Sequence, residues 1–378
     1  MKRSRIVIRR LGAVGLSAAV LYLVGVTAGT KSAAAALDAI RDSAPEGALR
    51  WELGDLWVRD NLSGATVMAL AQSPLLMSAR EEVAALWSAR EDEPAVRQEE
   101  EDTVIVPVEE TPLVPDAPTD NGVAARTLVP SSPEGYTVSG RAYIANSTDY
   151  AITPEEVAQP FAAALGEGSP QILILHTHGS ESYTPAETEG IVWSGDHRTT
   201  DSRYNVVAVG DAMAEVFSAA GISVLHDRTL YDYPSYNDAY DRSLTAINDY
   251  LARYPSISFV LDVHRDAIED GEGNQYKVVC ETEEGTSAQM TLVVGSDGGG
   301  LEHPGWRENL KLAAAIQNRL LEENDHLCRP ILLRNSRYNQ HATTGSLLVE
   351  IGAAGNSPEE AALAAKLFAE GMVEVIKE

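Results

Sequence analysis

Ile172-Leu173-Ile174-Leu175-His176-Thr177-His178-Gly179-Ser180-Glu181 is a run of four apolar residues that ends on two histidines and a carboxylate. A short continuous apolar run fits a strand buried on both faces, the form strands take in a parallel sheet covered by helices. In an open α/β sheet, ligands bind beyond the carboxyl ends of the strands, and His178 and Glu181 fall there. A His-x-x-Glu turn brings an imidazole nitrogen and a carboxylate oxygen to one zinc ion, each at ~2.0–2.2 Å. An exposed polar turn explains the same spacing. His176 faces the opposite way from His178 along an extended backbone, so it is expected to be packed or hydrogen-bonded, with a lesser role behind the metal.

Two further strand ends repeat the arrangement. Ser258-Phe259-Val260-Leu261-Asp262-Val263-His264-Arg265-Asp266 is an apolar strand ending on a histidine, and Ser346-Leu347-Leu348-Val349-Glu350-Ile351-Gly352 closes an apolar run with a carboxylate. Burying that charge unpaired costs several kcal/mol, so a partner or a function is required. Together the three ends describe a mononuclear zinc hydrolase, with His178, Glu181 and His264 as ligands, an open fourth position for water and Glu350 as general base. Asp201, ahead of the following helix, is an alternative carboxylate ligand, though helix capping also accounts for it. Arg265 and Asp266 either bind substrate or pair with each other. His341, just before the Glu350 strand, is a candidate hydrogen-bond donor in the transition state or a plain loop residue. His197, His226, His303 and His326 follow no strand end and are expected at the surface.

Working outward, strands are expected at residues 171–175, 222–225, 257–263, 330–333 and 346–349, with 276–281 and 290–294 as an antiparallel insert. Helices fit between them. Asn205 to Ala219 carries Val206, Val209, Met213, Val216 and Phe217 on one stripe, and Ser357-Pro358-Glu359-Glu360 is a capping box with proline in the first turn of a last helix. The expected fold class is α/β, an open and mostly parallel sheet with flanking helices, occupying residues 135–378.

The rest of the chain is of a different kind. Lys2, Arg3, Arg5, Arg9 and Arg10 precede an uncharged stretch from Leu11 to Thr30, long enough as a helix to cross a hydrocarbon core of ~30 Å. The basic cluster orients it with residues 1–31 as cytoplasmic tail and anchor, and everything beyond in the extracytoplasmic space. A cleaved signal peptide is the competing reading, since Ser32 to Ala36 are small. Residues 32–90 suggest a partly helical juxtamembrane region. Residues 91–134 form an acidic, proline-rich linker, self-repelling and without a core of its own.

With 29 basic against 56 acidic residues, the formal charge of −27 excludes a strongly basic nucleic-acid binder. Cys280 and Cys328 are too few for a thiolate zinc cage or a disulfide scaffold. No G-x-S-x-G elbow supports a serine nucleophile.

Five stretches together resemble the stage II sporulation protein P family: His176-Thr177-His178-Gly179-Ser180-Glu181-Ser182-Tyr183; Tyr204-Asn205-Val206-Val207-Ala208-Val209-Gly210; Tyr236-Asn237-Asp238-Ala239-Tyr240; Asp262-Val263-His264-Arg265-Asp266-Ala267; and Thr344-Gly345-Ser346-Leu347-Leu348-Val349-Glu350-Ile351-Gly352. The resemblance covers about residues 138–378, and the N-terminal anchor fits it. It implies a zinc-dependent peptidoglycan hydrolase related to the N-acetylmuramoyl-L-alanine amidases, cutting the amide between muramic acid and the stem peptide, with a second cross-link endopeptidase activity, during forespore engulfment. It also implies an amidase- and zinc-carboxypeptidase-like fold, and a lytic transglycosylase of the stage II sporulation protein D type as partner. By resemblance, Glu350 before Gly352 and Asn356 is catalytic, and His178 beside Gly179 is favoured over His176. Those amidases place their second ligand, a glutamate, where this chain has Asp201. The short His-x-x-Glu turn resembles zinc carboxypeptidases and favours Glu181.

Two other readings remain at this stage. A zinc peptidase acting on free wall peptides requires a carboxylate-binding arginine such as Arg265 or Arg337. A membrane-anchored, non-catalytic wall-binding scaffold is the reading from another class.

Overall fold

The computed structural model of the protein describes residues 110–112, 122–185, 197–269 and 275–377, all within the unit Val96–Glu378. The expected anchor, the juxtamembrane region and most of the acidic linker lie outside these residues. Among the described residues, no helix is long and apolar enough to cross a membrane.

In chain order the elements begin with β1 (Glu110–Pro112), β2 (Ala124–Arg126), β3 (Leu128–Pro130), β4 (Thr137–Ser139), β5 (Ala142–Asn146) and the single turn α1 (Pro154–Val157). Then come β6 (Ile172–Leu175), α2 (Val206–Ala219), β7 (Val224–His226), α3 (Ala239–Arg253) and β8 (Phe259–Asp266). The chain continues through β9 (Tyr276–Thr282), β10 (Gly285–Ala288), β11 (Met290–Gly295), α4 (Trp306–Glu323), β12 (Ile331–Arg334), a 3-10 turn (Gln340–Ala342), β13 (Gly345–Ala353) and α5 (Pro358–Lys377).

Eight strands form the main sheet in the order β4-β5-β12-β11-β13-β8-β6-β7. β13, β8, β6 and β7 are mutually parallel, as are β5, β12 and β11, and the two blocks meet antiparallel at β11 and β13. The α/β class and the predominance of parallel pairs thus agree with the sequence. The antiparallel insert does not hold as drawn. Of that insert, β9 leaves the main sheet and pairs with β10 and β2, whereas β11 is a central strand. All of its residues are buried, so it reads as uniformly apolar and its period says nothing of which sheet it joins. β1, β2 and β3 fall inside the stretch read as linker.

One face of the sheet carries the larger core, where Phe259, Leu261 and Val263 of β8 and Leu347, Val349 and Ile351 of β13 meet Phe217 of α2, Ile316 of α4 and Phe368 of α5. On the other face Leu173, Leu175 and Val260 pack under Ile247 of α3. Alternation along β8 then puts Asp262 and His264 on the α3 face with Val260. Glu350 stands beside His264 in register and shares that face.

The end of β13 is pinned by Asn356. Its side chain accepts from Ala353 N at 2.9 Å and Val278 N at 3.2 Å, and donates to Val278 O and to Glu360. Gly352 turns there with φ of 67°, a left-handed conformation in which a Cβ would also meet Asn356 Oδ1 at 2.9 Å. The capping box is present: Glu360 N donates to Ser357 Oγ and Ser357 N to Glu360 Oε2. Glu360 also pairs with Lys277, both side chains being buried. Lys277→Met leaves that carboxylate without its cation and is expected to destabilise the fold by about 3–5 kcal/mol, measured as the shift in urea midpoint. Cys280 and Cys328 are buried free thiols.

Candidate active site

β6 ends in a tight turn, closed by Glu181 N donating to His178 O at 3.0 Å, and this turn carries both residues to the top of the sheet. The His178 ring stacks on Tyr236, with centroids 4.5 Å apart, and meets Tyr240 edge-on at 5.5 Å. Tyr240 lies in the first turn of α3. The His264 ring is 5.3 Å from that of His178, nearly perpendicular to it. Glu181 Oε2 lies 3.4 Å from His264 Nδ1 and accepts from Arg265 N at 3.2 Å. His178 and Glu181, singled out in one stretch, and His264, in another, are therefore neighbours.

Electrostatics separate their roles. Burial, with His264 and Arg198 adding to it against the pull of Glu181, drives His178 down to about 3, so its imidazole is neutral. Its Nδ1 is buried and has no hydrogen-bond partner. Burial works to lower His264 as well, but Asp262 and Glu181 on either side outweigh it and raise that ring well above its ordinary range. Burial works to raise Glu181, and His264 and Arg265 hold it below the usual carboxylate range. The two carboxylates flanking His264 thus demand a positive charge at this point.

Glu350 has its Oε2 buried without a partner. Burial, then Asp266, pushes its carboxyl up to about 8, against the opposing effect of His264.

The other candidates are placed elsewhere. His176 lies under α2, bonded through Nδ1 to Val263 O and through Nε2 to His226, each at 2.8 Å, as its opposite facing required. Gly210 of α2 makes room, since a Cβ there would meet both rings within 2.6 Å. Asp201 is tied to Arg203, which holds its carboxyl down at about 2, and the cap of α2 is Asn205. Arg265 spends its guanidinium on the carbonyls of Ser182, His197 and Asp266, while Asp266 pairs with Arg329 instead. Arg265 therefore positions the Glu181 turn and has no fork left for a ligand carboxylate. His341 sits against His303, with rings 6.4 Å apart, rather than in the His178 cluster. His303, expected at the surface, is 1% exposed.

Sequence reasoning missed Asp262, Arg198, Asp232 and the two tyrosines. Asp262 Oδ1 is 3.0 Å from His264 Nε2, and the carboxylate is fixed by Thr177 N at 2.8 Å and the Thr177 hydroxyl at 2.6 Å. Its position two residues before His264 on one strand was a legible signal, because period two puts both on one face. Arg198 reaches Glu181 at 3.9 Å and Asp232 at 2.8 Å and lies over the Tyr236 ring. It follows no strand end, so nothing in the sequence marked it.

The donor set suits zinc in kind: two imidazoles and one carboxylate, adjacent, with one nitrogen buried and unpartnered. Among the described residues, no three such side chains form a ready-made metal cluster.

Comparisons with known proteins agree with the motifs. The family model for stage II sporulation protein P matches residues 87–373. Stage II sporulation protein P of Bacillus subtilis (strain 168) is 28% identical over 216 residues, 53% of this chain and 49% of that protein, so the chain spans about half the length of the curated relative it matches. Among solved structures, the N-acetylmuramoyl-L-alanine amidase AmiC2 of Nostoc punctiforme is 14% identical over 56% of this chain and 97% of its own, with a TM-score of 0.34. The CwlD amidase of Clostridioides difficile, solved with the GerS lipoprotein, is 15% identical over 55% of this chain and 96% of its own, at 0.35. Structural likenesses of that size carry no weight on chemistry. The family match spans the whole described site, and the chain belongs to the stage II sporulation protein P family.

Proposed function

We propose that the protein is a zinc-dependent peptidoglycan hydrolase that cuts the amide between N-acetylmuramic acid and the stem peptide in sporulation, with cross-link endopeptidase cleavage as a second activity during forespore engulfment. The observation that carries this reading is the carboxyl of Glu350, held beside His264 in strand register with an unpartnered buried oxygen and a pKa near 8. A cation held by the neighbouring histidines would draw that carboxyl back toward its ionised form, in which it can accept a proton from water. Membership of the family supports the substrate class.

His178, Glu181 and His264 would hold the zinc, which when bound supplies Lewis-acid polarisation of the scissile carbonyl. Asp262 keeps the His264 ring oriented, and Thr177 keeps Asp262 in place. Glu350 takes the proton of the attacking water and delivers it to the leaving nitrogen. Tyr236 and Tyr240 wall His178 and keep its ring from rotating. In this reading the N-terminal segment anchors the protein in the cell membrane with the catalytic part outside, and a stage II sporulation protein D type transglycosylase acts on the stripped glycan.

The test is mass spectrometry of products released from purified sacculi by the full-length chain in detergent, with and without chelator. Free stem peptides that disappear on chelation are the expected result. Release of glycan fragments alone, or of nothing by zinc-loaded protein, overturns the reading.

A further inference from the structure

We propose that Asp232 is a positioning residue that draws the Arg198 guanidinium away from Glu181 and so leaves the Glu181 carboxylate for a divalent cation. This rests on the hydrolase reading in one respect: Glu181 is one of its proposed metal ligands.

The backbone sets up the opposite pairing. Arg198 lies directly across from Glu181 in an isolated antiparallel bridge, and the two segments are tied on either side by Ser182 N donating to His197 O at 3.0 Å and Thr199 N to Ser180 O at 2.7 Å. Oppositely charged residues that face each other across such a pair attract. An arginine fork closing on a carboxylate takes both oxygens in charge-assisted hydrogen bonds, which a cation would then have to break. Yet Arg198 Nη2 stays 3.9 Å from Glu181 Oε1, beyond hydrogen-bond length.

The guanidinium goes to Asp232 instead. Its Nη1 donates to Asp232 Oδ2 at 2.8 Å, and it lies 4.4 Å from the centre of the Tyr236 ring. Asp232 and Tyr236 belong to one loop, between β7 and α3. Arg242 of α3 fixes that loop, donating to the carbonyls of Tyr231 and Ser235 at 2.6 Å and of Asn237 at 2.9 Å. The anion that receives Arg198 is therefore held in place by a different element from the one that carries Glu181. The Asp232 side chain is fully buried and accepts from Ser180 N at 3.0 and 3.2 Å and from the Ser180 hydroxyl at 2.5 Å besides Arg198. Burial pushes its carboxyl up, and Ser180 and Arg198 act against that push.

Charge favours the same arrangement. A cation at Glu181 would stand close to the guanidinium, and a carboxylate on Arg198 offsets the repulsion between the two. Asp232 also pins the Glu181 turn through Ser180, a structural duty that asparagine largely keeps, since it retains an oxygen for Ser180 N and loses only the charge.

The test is zinc titration, against a chromogenic chelator, of the full-length chain in detergent as wild type, Asp232→Asn, Arg198→Gln and the double variant. Asp232→Asn is expected to weaken zinc binding about 10- to 100-fold, as loss of a group behind a metal ligand does. Asp232→Ser, which also loses the charge, serves where Asp232→Asn does not fold. Arg198→Gln alone is expected to bind zinc at least as tightly as the wild type, and the double variant to recover the affinity that Asp232→Asn loses. A turn that is merely unpinned gives no such rescue. Undiminished affinity in Asp232→Asn, a double variant no tighter than Asp232→Asn, or loss of zinc in Arg198→Gln overturns the proposal. The metal-free protein supplies a second readout. Coupling between Arg198 and Glu181, read from the urea midpoints of Arg198→Gln, Glu181→Gln and their double variant, is expected to be larger in the Asp232→Asn background. Equal coupling in both backgrounds overturns the proposal whatever zinc does. Larger coupling in a chain whose wild type binds no zinc leaves the diversion of Arg198 standing and refutes the metal reading of Glu181.

Discussion

Glu350→Gln is expected to lower the rate of stem-peptide release by about 10²- to 10⁴-fold, the usual contribution of a positioned proton-transfer group. The substitution keeps the shape of the side chain and removes only its ability to exchange a proton. Glu350 Oε2 has no hydrogen-bond partner to lose, and burial already disfavours its charge, so the fold is expected to tolerate the amide. Zinc content and the urea midpoint of the variant should therefore match the wild type while kcat falls. Retained activity would move the base role to another residue, and loss of zinc would make Glu350 a ligand instead.

His264→Ala is expected to abolish both zinc binding and hydrolysis, and to cost stability besides. The ring lies between Asp262 and Glu181, both of them buried. Removing it leaves two carboxylates facing each other without the positive charge they share, at about 3–5 kcal/mol for a broken buried pair. The companion variant Asp262→Asn keeps the ligand and loses only its orienting carboxylate, so zinc affinity should fall by about 10- to 100-fold with much less loss of stability. Zinc titration and chemical denaturation of both variants check this. If His264→Ala binds zinc as the wild type does, the ligand set is wrong.

Strand ends were the legible part of this sequence. Apolar runs that stop on His176 to Glu181, on His264 and on Glu350 announced the strands and marked His178, Glu181, His264 and Glu350, which the fold gathers at one place, because a fully buried strand tolerates a charged residue only where something meets it. The pairing of β11 was not legible, since its residues are buried throughout and its neighbours are set by packing far away in sequence. Arg265 was misjudged for a related reason. A guanidinium next to a strand-end histidine suggests substrate, but here the backbone carbonyls of Ser182, His197 and Asp266 consume it, and no sequence pattern marks such acceptors. His303 shows the same limit in reverse, a loop histidine that tertiary packing closes over.

Of the strands described, β13 leaves the ribosome last, yet its place is in the middle of the sheet between β8 and β11. Until it arrives, β8 and β11 have no partner between them, and the sheet is two half-sheets running in opposite directions. The nascent chain therefore cannot zip from one edge to the other; the blocks must wait for a keystone that brings Glu350 with it. Competence for hydrolysis is then among the last properties the chain acquires, and a polypeptide cut short before Gly345 would carry every proposed metal ligand but lack its proposed base.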